Sequence, residues 1–158
     1  MNFTLKILHI TGHMGGGVGA VVLNYLKNKS NDSSQRHSVI SLDYLNSYAT
    51  DVLSSKDIEY SDRCHARIDL INSKIREADV VLLHWWNHPL ITDLLVRSRL
   101  DACRLVLWSH ISGSPAPNNF THKIFEYPDE FIFTTPLSYF DPEFVDLPER
   151  VKKKTGNI

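Results

Sequence analysis

The sequence predicts an α/β protein of three layers, in which helices cover both faces of a mostly parallel sheet of about six strands. The first observation is that short apolar runs alternate with segments whose apolar residues recur at helical spacing. The second is that the run Val80 to His84 is apolar throughout, which is typical of a parallel strand buried on both faces. A chain of 158 residues with 42% hydrophobic content is long enough for one such domain.

The first predicted unit is a strand, a glycine-rich turn and a helix. The strand is Leu5 to Ile10, and the apolar stripe of the helix begins at Val18 and ends at Leu26. Between them lie Gly15, Gly16, Gly17 and Gly19. Glycine allows the backbone to approach a ligand closely, and a helix N-terminus favours anions, so this turn predicts a phosphate or sugar-phosphate contact. A tight strand-to-helix connection without a ligand would also explain the glycines.

The rest of the chain repeats this alternation. Further strands are predicted at His37 to Leu42, Ile58 to Tyr60, Val80 to His84, Arg104 to Ser109 and Glu130 to Thr134, with helices at Tyr48 to Asp57, Ala66 to Glu77, from Pro89 onward, and a short helix that Pro128 stops. We expect one domain over residues 1–140 and a tail or interdomain connection over residues 141–158.

Composition excludes several classes of function. The net charge is −1 and there is no basic stripe, so nucleic acid is not an expected partner. Cys64 and Cys103 lack the spacing of a disulfide framework or a zinc site, which favours a reducing cytoplasm. His84 and His88 have the spacing of a helical metal pair, but Pro89 places them before the helix, so no metal site is expected.

Three loops are candidates for a binding site. In parallel α/β sheets, ligands bind beyond the carboxyl ends of the strands, where the strand order reverses. This rule selects Thr11 to Gly19, His84 to His88, and His110 to Asn118. These loops hold the chain's glycine cluster and several of its histidines and tryptophans, so the sequence predicts a site along one rim of the sheet.

The segments KILHITGHMGGGVGAVVLNYL, ADVVLLHWWNHPLI, RLVLWSHISG and FIFTTP together resemble the N-terminal half of a family-4 retaining glycosyltransferase of GT-B architecture. The resemblance covers about Lys6 to Pro136. It implies a Rossmann-like, acceptor-side domain that faces a donor-binding domain across a cleft. The paired glutamates of the family's donor-binding half and a second series of strands and helices are not found in this sequence, so the chain by itself is not expected to transfer sugar.

The resemblance also implies roles for individual residues. His110 matches the position of a histidine near the transferred sugar, where it would orient the sugar and stabilise developing charge. Substrate contacts are implied for Gly15, Gly16, Gly17, His84, Trp85, Trp86 and Ser112. Neither a cofactor nor a metal is implied. A loop histidine satisfied by backbone groups and a tryptophan pair that packs in the core or at its edge remain the alternatives.

The implied partners are a nucleotide-sugar donor, bound mainly by the second domain, and a glycan or lipid-linked sugar acceptor in polysaccharide or glycolipid synthesis. The implied location is the cytoplasm, with peripheral contact at the inner face of the membrane left open. The sequence offers only the lysines at 152–154 for such contact.

Two readings from other classes remain. A stand-alone NAD(P)-binding domain would use Gly15, Gly17 and Ala20 at the turn and Asp43 at the end of the second strand. A flavodoxin-like or receiver-like protein-binding module ranks last, because the loops after the first and central strands lack the acidic residues that a receiver needs.

Overall fold

A computed structural model of the chain describes residues 4–114, 116 and 119–157. In chain order, the elements are β1 (Leu5–Thr11), α1 (Gly16–Lys29), β2 (Gln35–Ser41), α2 (Ser47–Ser55), β3 (Glu59–Ser61), α3 (Ile68–Glu77), β4 (Val80–Trp85), α4 (Pro89–Arg97), β5 (Leu105–Ser109), α5 (His122–Glu126), β6 (Glu130–Phe133), a 3-10 turn (Pro136–Phe140), α6 (Pro142–Val145), α7 (Glu149–Lys152) and β7 (Thr155–Asn157).

The predicted fold class is confirmed. Within the described residues the strands form one sheet of seven, in the order β3-β2-β1-β4-β5-β6-β7, and every pair is parallel. The strand count is one higher than about six, because β7 adds to the far edge. The order reverses between β1 and β4, which is the position of the ligand crevice in Rossmann-like sheets.

Helices cover both faces of the sheet, as a three-layer sandwich requires. On one face, α1 and α2 bury Val22, Leu26 and Leu53 against Val39 of β2. On the other face, a larger core joins the apolar stripes of α3, α4 and α5 to the sheet and contains Ile71, Ile75, Ile91, Leu94 and Phe125 together with Leu8, Leu83, Leu107 and Phe131.

Local sequence signals explain where the helices begin. Asn46 precedes α2, and its side chain accepts a hydrogen bond from the N–H of Ala49 at 2.8 Å. Pro89 is the first residue of α4, as its fixed φ predicts. His88 caps this helix, because its Nδ1 accepts from the N–H of Leu90 at 3.3 Å. No helix in the described part of the chain is long and apolar enough to cross a membrane.

The segment after Phe140 lies on the same domain. Phe144, Leu147 and Val151 are buried and belong to the larger core. Beyond α7, β7 pairs with β6 from Thr155 to Asn157. Residues 141–157 therefore complete one face and one edge of the sheet.

Alanine substitutions at two glycines of α1 should change the free energy of unfolding in opposite directions. A Cβ at Gly19 would lie 2.6 Å from the carbonyl carbon and oxygen of Met14, whereas a Cβ at Gly17 would meet no atom within 4 Å. We expect Gly19→Ala to lower the free energy of unfolding by about 1–3 kcal/mol through overpacking. Gly17→Ala should raise it by up to about 1 kcal/mol, because alanine favours the helix.

Urea denaturation of the two variants beside wild type measures this difference. Equal stability of both variants would contradict the close approach of α1 to the loop that precedes it.

Candidate functional site

The three predicted loops meet at the carboxyl edge of the sheet. The ring of His13, from the first loop, lies 5.5 Å from the ring of Trp86 in the second, measured between centroids. Trp86 in turn lies 6.5 Å from His110, which follows β5. Tyr44, in the loop after β2, stacks on His13 at 5.2 Å. We call His13, Tyr44, Trp86, His88 and His110 the aromatic rim.

The glycine-rich turn leaves the start of α1 open. Gly15 occupies the N-cap position and supplies no side chain to the first N–H groups of the helix. Gly16 has a φ of +68°, a conformation that favours glycine. Gly16 and Gly17 are exposed, and a Cβ on either would meet no atom within 4 Å. The positive end of α1 therefore faces open space.

Four of the residues singled out in the sequence lie at this edge. Gly16, Gly17, Trp86 and His110 are each exposed or partly exposed there. Gly15 is buried, and a Cβ on it would lie 2.6 Å from Oη of Tyr44. A ligand above the turn can therefore contact Gly16 and Gly17 while Tyr44 covers Gly15.

Trp85 and His84 lie elsewhere. Trp85 is the last residue of β4 and belongs to the larger core, with its ring 5.7 Å from Phe120. His84 is fully buried on the opposite face of the sheet. Successive strand residues point to opposite faces, so these two neighbours cannot both reach the rim.

Ser112 is partly buried in the loop after β5, and its carbonyl accepts a hydrogen bond from Oγ of Ser138 at 2.8 Å. Positions 115, 117 and 118 of this loop lie outside the described residues.

Behind the rim, four histidines form a continuous hydrogen-bonded row. Nδ1 of His37 lies 2.9 Å from Nε2 of His9, and Nδ1 of His9 lies 2.9 Å from Nε2 of His84. Nδ1 of His84 then lies 2.9 Å from Nε2 of His110. We call these four side chains the histidine row. It runs from the interior of the sheet to the aromatic rim.

The register of the parallel strands produces the row. His37 on β2 pairs with Ile7 on β1, and His9 stands two residues further along. His9 pairs with Leu82 on β4, two residues before His84. His84 pairs with Trp108 on β5, two residues before His110. A step of two residues keeps each ring on the same face, so the row crosses the sheet as a diagonal.

Burial holds the row neutral. It lowers the pKa of His9 to about 3, with a further contribution from His37, and lowers the pKa of His110 to about 4. The pKa of His84 lies well below its usual value, mainly through burial and then through His9 and His110. Burial also lowers the pKa of His37, although the carboxylate of Asp32 acts in the opposite direction. Near pH 7 each ring therefore has one N–H and one bare nitrogen.

Tyr25 and Trp108 enclose the row. The ring of Tyr25, on α1, lies 5.8 Å from His9 and 5.7 Å from Trp108. Trp108 also lies 4.8 Å from the ring of His110 and donates its indole N–H to Oγ1 of Thr134 at 3.2 Å. Aromatic contacts thus fix the orientation of His110 from the side while His84 fixes it from behind.

Sequence reasoning missed His9 and His37 of the row, and His13 and Tyr44 of the rim. The available signal was a histidine within each of the apolar runs that form β1 and β2. A polar residue at a buried strand position needs a partner. The partners could not be assigned, because the register between non-consecutive strands is not readable from the chain.

Among the described residues, no group of three or more His, Cys, Asp or Glu side chains could hold a metal ion. A cavity of about 180 Å³ exists at the opposite, amino edge of the sheet, where Lys6, Glu59 and Lys74 contribute to its lining. Nζ of Lys74 there pairs with carboxylates of Glu59 at 2.7 Å and Glu77 at 2.9 Å. Lys74 and Glu59 thus neutralise each other within this cavity.

No protein-family model matches the sequence, and no curated protein matches it. Among solved structures, the chain is similar to a hypothetical protein of Streptococcus mutans, with 17% identity and a TM-score of 0.43. The match covers 82% of this chain and 58% of that one.

The neutral row predicts a loss of stability in mild acid. Unfolded histidine has a pKa of about 6.5, so below that pH the unfolded chain binds a proton at His9 that the folded chain does not. Folding should therefore lose stability as the pH falls from about 6.5 toward 5, by about 2 kcal/mol for His9 alone. Urea denaturation at pH 7.5 and pH 5 measures this loss.

The variant His9→Phe should lose less stability between the two pH values than wild type, whatever its absolute stability. Val96→Ala, at a side chain that is 76% exposed, is the matched control and should retain the wild-type loss. An identical loss in the His9→Phe variant would contradict the neutral, buried state of His9.

Proposed function

We propose that the chain is the acceptor-side domain of a retaining glycosyltransferase and that it binds a glycan or sugar-phosphate at the aromatic rim. The observation that supports this most is that the open N-terminus of α1 and the aromatic rim, with the partly exposed rings of Trp86 and His110, lie at one carboxyl edge of the sheet. The resemblance in sequence selects the same loops. The proposal includes a second, donor-binding domain for full activity.

The open end of α1 suits an anionic group of the ligand. Gly16 and Gly17 let an oxygen approach the first N–H groups of the helix without a side chain in the way. No acidic residue lies in the first turn of α1 to compete for these groups. A phosphate there would gain both hydrogen bonds and the favourable potential of the helix.

The aromatic rings suit the sugar itself. Tyr44 is 40% exposed, and Trp86 meets His13 edge to face at an interplanar angle of 82°. Rings held in this way offer rigid apolar faces to the C–H groups of a pyranose. Trp86 rather than Trp85 is the proposed contact, since Trp85 is buried beneath the sheet edge.

His110 would hydrogen-bond a sugar hydroxyl through its Nδ1. Its Nε2 contacts Nδ1 of His84 at 2.9 Å, and within the described part of the chain no side chain or backbone group hydrogen-bonds its Nδ1. A ring with a pKa of about 4 is neutral near pH 7, so its proposed role is to orient the sugar by hydrogen bonding. His84 supports His110 from behind and is not a ligand contact in this proposal.

A second candidate is the binding of a dinucleotide such as NAD(P). It is favoured by Asp43, which follows β2 and donates its N–H to the carbonyl of Gly12 at 2.7 Å. This backbone contact places Asp43 beside the loop after β1, and an acidic residue after the second strand is where Rossmann-like domains bind a ribose hydroxyl. Tyr44 is unfavourable for this candidate, because it covers Gly15 at the turn.

Titration of the ¹⁵N-labelled chain with glucose 1-phosphate, UDP-glucose and NAD separates the two candidates. For the glycosyltransferase proposal, we expect glucose 1-phosphate to shift the amide signals of Gly16 and Gly17 and the indole signal of Trp86. Trp86→Ala should weaken this binding about tenfold, a loss of about 1.4 kcal/mol. Tyr127→Ala removes a ring that is 49% exposed at the opposite edge, and binding should be unchanged.

Micromolar binding of NAD that is lost in Asp43→Ala would favour the dinucleotide candidate. Tight binding of UDP-glucose by this chain alone would contradict the proposal that a second domain binds the nucleotide-sugar donor. Sugar-phosphate shifts confined to other surfaces would remove the rim from the proposal.

A further inference from the structure

We infer that the four rings of the histidine row change tautomer as one unit, so that the hydrogen-bonding character of His110 at the rim is coupled to that of His37 three strands away. The inference extends the proposed function by stating whether His110 donates or accepts a hydrogen bond when it contacts a ligand. Only the identity of that ligand rests on the proposed function.

The coupling follows from counting protons. Each of the three N···N contacts, at 2.9 Å, needs one proton, because two N–H groups would collide and two lone pairs would repel. Each neutral imidazole has one proton. If Nδ1 of His37 carries its proton, Nε2 of His9 must accept it, and the proton of His9 must then be on Nδ1. The same step repeats at His84 and at His110.

Only two arrangements satisfy every contact. In one, all four rings are protonated on Nδ1, and His110 presents an N–H to the rim. In the other, all four are protonated on Nε2, and His110 presents a bare nitrogen. The inner end is Nε2 of His37, a buried atom for which the described residues provide no hydrogen-bond partner. A single ring whose tautomer differs from the rest would break one contact if it stands at an end of the row and two if it is His9 or His84.

Burial makes this coupling strict. His9 and His84 are both 0% exposed, so water cannot replace a broken contact between them. Their rings are nearly parallel, with an interplanar angle of 11°, and Tyr25 and Trp108 pack beside them. Neither ring can turn away to relieve a mismatch without disturbing this packing.

The consequence for the rim is that His110 can act as donor or as acceptor, but only together with the row. A sugar hydroxyl both donates and accepts, so either arrangement can bind one. A phosphoryl oxygen only accepts, so it selects the arrangement with protons on Nδ1. His84, His9 and His37 are positioning residues in this scheme, because they act on a ligand through His110.

Side-chain ¹⁵N shifts of histidine distinguish the two neutral tautomers and the charged form. In the wild-type chain at pH 7, without ligand, we expect His9, His37, His84 and His110 to share one tautomer or one common ratio of the two. Different tautomers within the row, or a charged ring, would overturn the inference.

A matched pair of variants tests the direction of the coupling. In His110→Glu the carboxylate can only accept, so the three remaining rings, observed at a pH high enough to keep His84 neutral, should be protonated on Nδ1. In His110→Lys the ammonium can only donate, so they should be protonated on Nε2. The decisive signal is that of His37, which neither substitution contacts.

Adding His9→Phe cuts the row between His37 and His84. His37 should then have the same tautomer in the Glu and Lys backgrounds, while His84 still differs between them. An identical tautomer of His37 in the two uncut variants would overturn the inference, and the wild-type spectrum decides it if a variant fails to fold. Because no ligand is present, failure of the coupling and failure of sugar binding are separate results.

Discussion

The parallel pairing of β1 with β4 is the constraint on which the rest of the structure depends. At this pair the strand order reverses, so α1 leaves on one face of the sheet and α4 on the other. The loops after both strands are thereby left uncovered at the carboxyl edge. They lie so close that a Cβ on Gly12 would meet the ring of His88 at 2.6 Å. The same pairing joins His9 to His84. The open end of α1, the contact of His13 with Trp86 in the aromatic rim and the central contact of the histidine row all depend on this strand pair.

A row of polar rings inside an apolar sheet is stable only because each ring forms a hydrogen bond with the next one. An unpaired imidazole nitrogen in the interior would cost about 1–3 kcal/mol. In this row the only ring nitrogen that is buried without a hydrogen-bond partner among the described residues is Nε2 of His37, at the inner end. The diagonal also needs all four strands: the loss of His9 or His84 would leave two partner nitrogens unpaired, and the loss of His37 or His110 would leave one. The row therefore ties the register of β2, β1, β4 and β5 together more specifically than apolar contacts alone could.

The sequence predicted the order and type of the elements well, because apolar runs and helical spacing are local properties of the chain. Contacts between strands that are distant in sequence were beyond its reach. Trp85 illustrates the difference. The predicted strand ended at His84, which left both tryptophans in the loop, whereas β4 continues to Trp85. Because the strand includes Trp85, its side chain points to one face of the sheet and packs in the larger core, whereas Trp86 follows the strand and lies at the rim. The row was missed for a similar reason, since it depends on the register between β1 and β4, whose residues lie about 75 positions apart.

The chemical group behind His110 limits what His110 can do. A carboxylate in that position would stabilise an imidazolium and make the histidine a stronger base. Here the partner is the neutral ring of His84, and burial lowers the pKa of His110 to about 4. Such a histidine is a poor proton acceptor near pH 7, but it is a rigid hydrogen-bonding group whose polarity the row controls. This suits the proposed role of His110, which is to orient the sugar by hydrogen bonding. The proposed function therefore needs His110 to be held in a fixed orientation and in a defined tautomer. The histidine row supplies both.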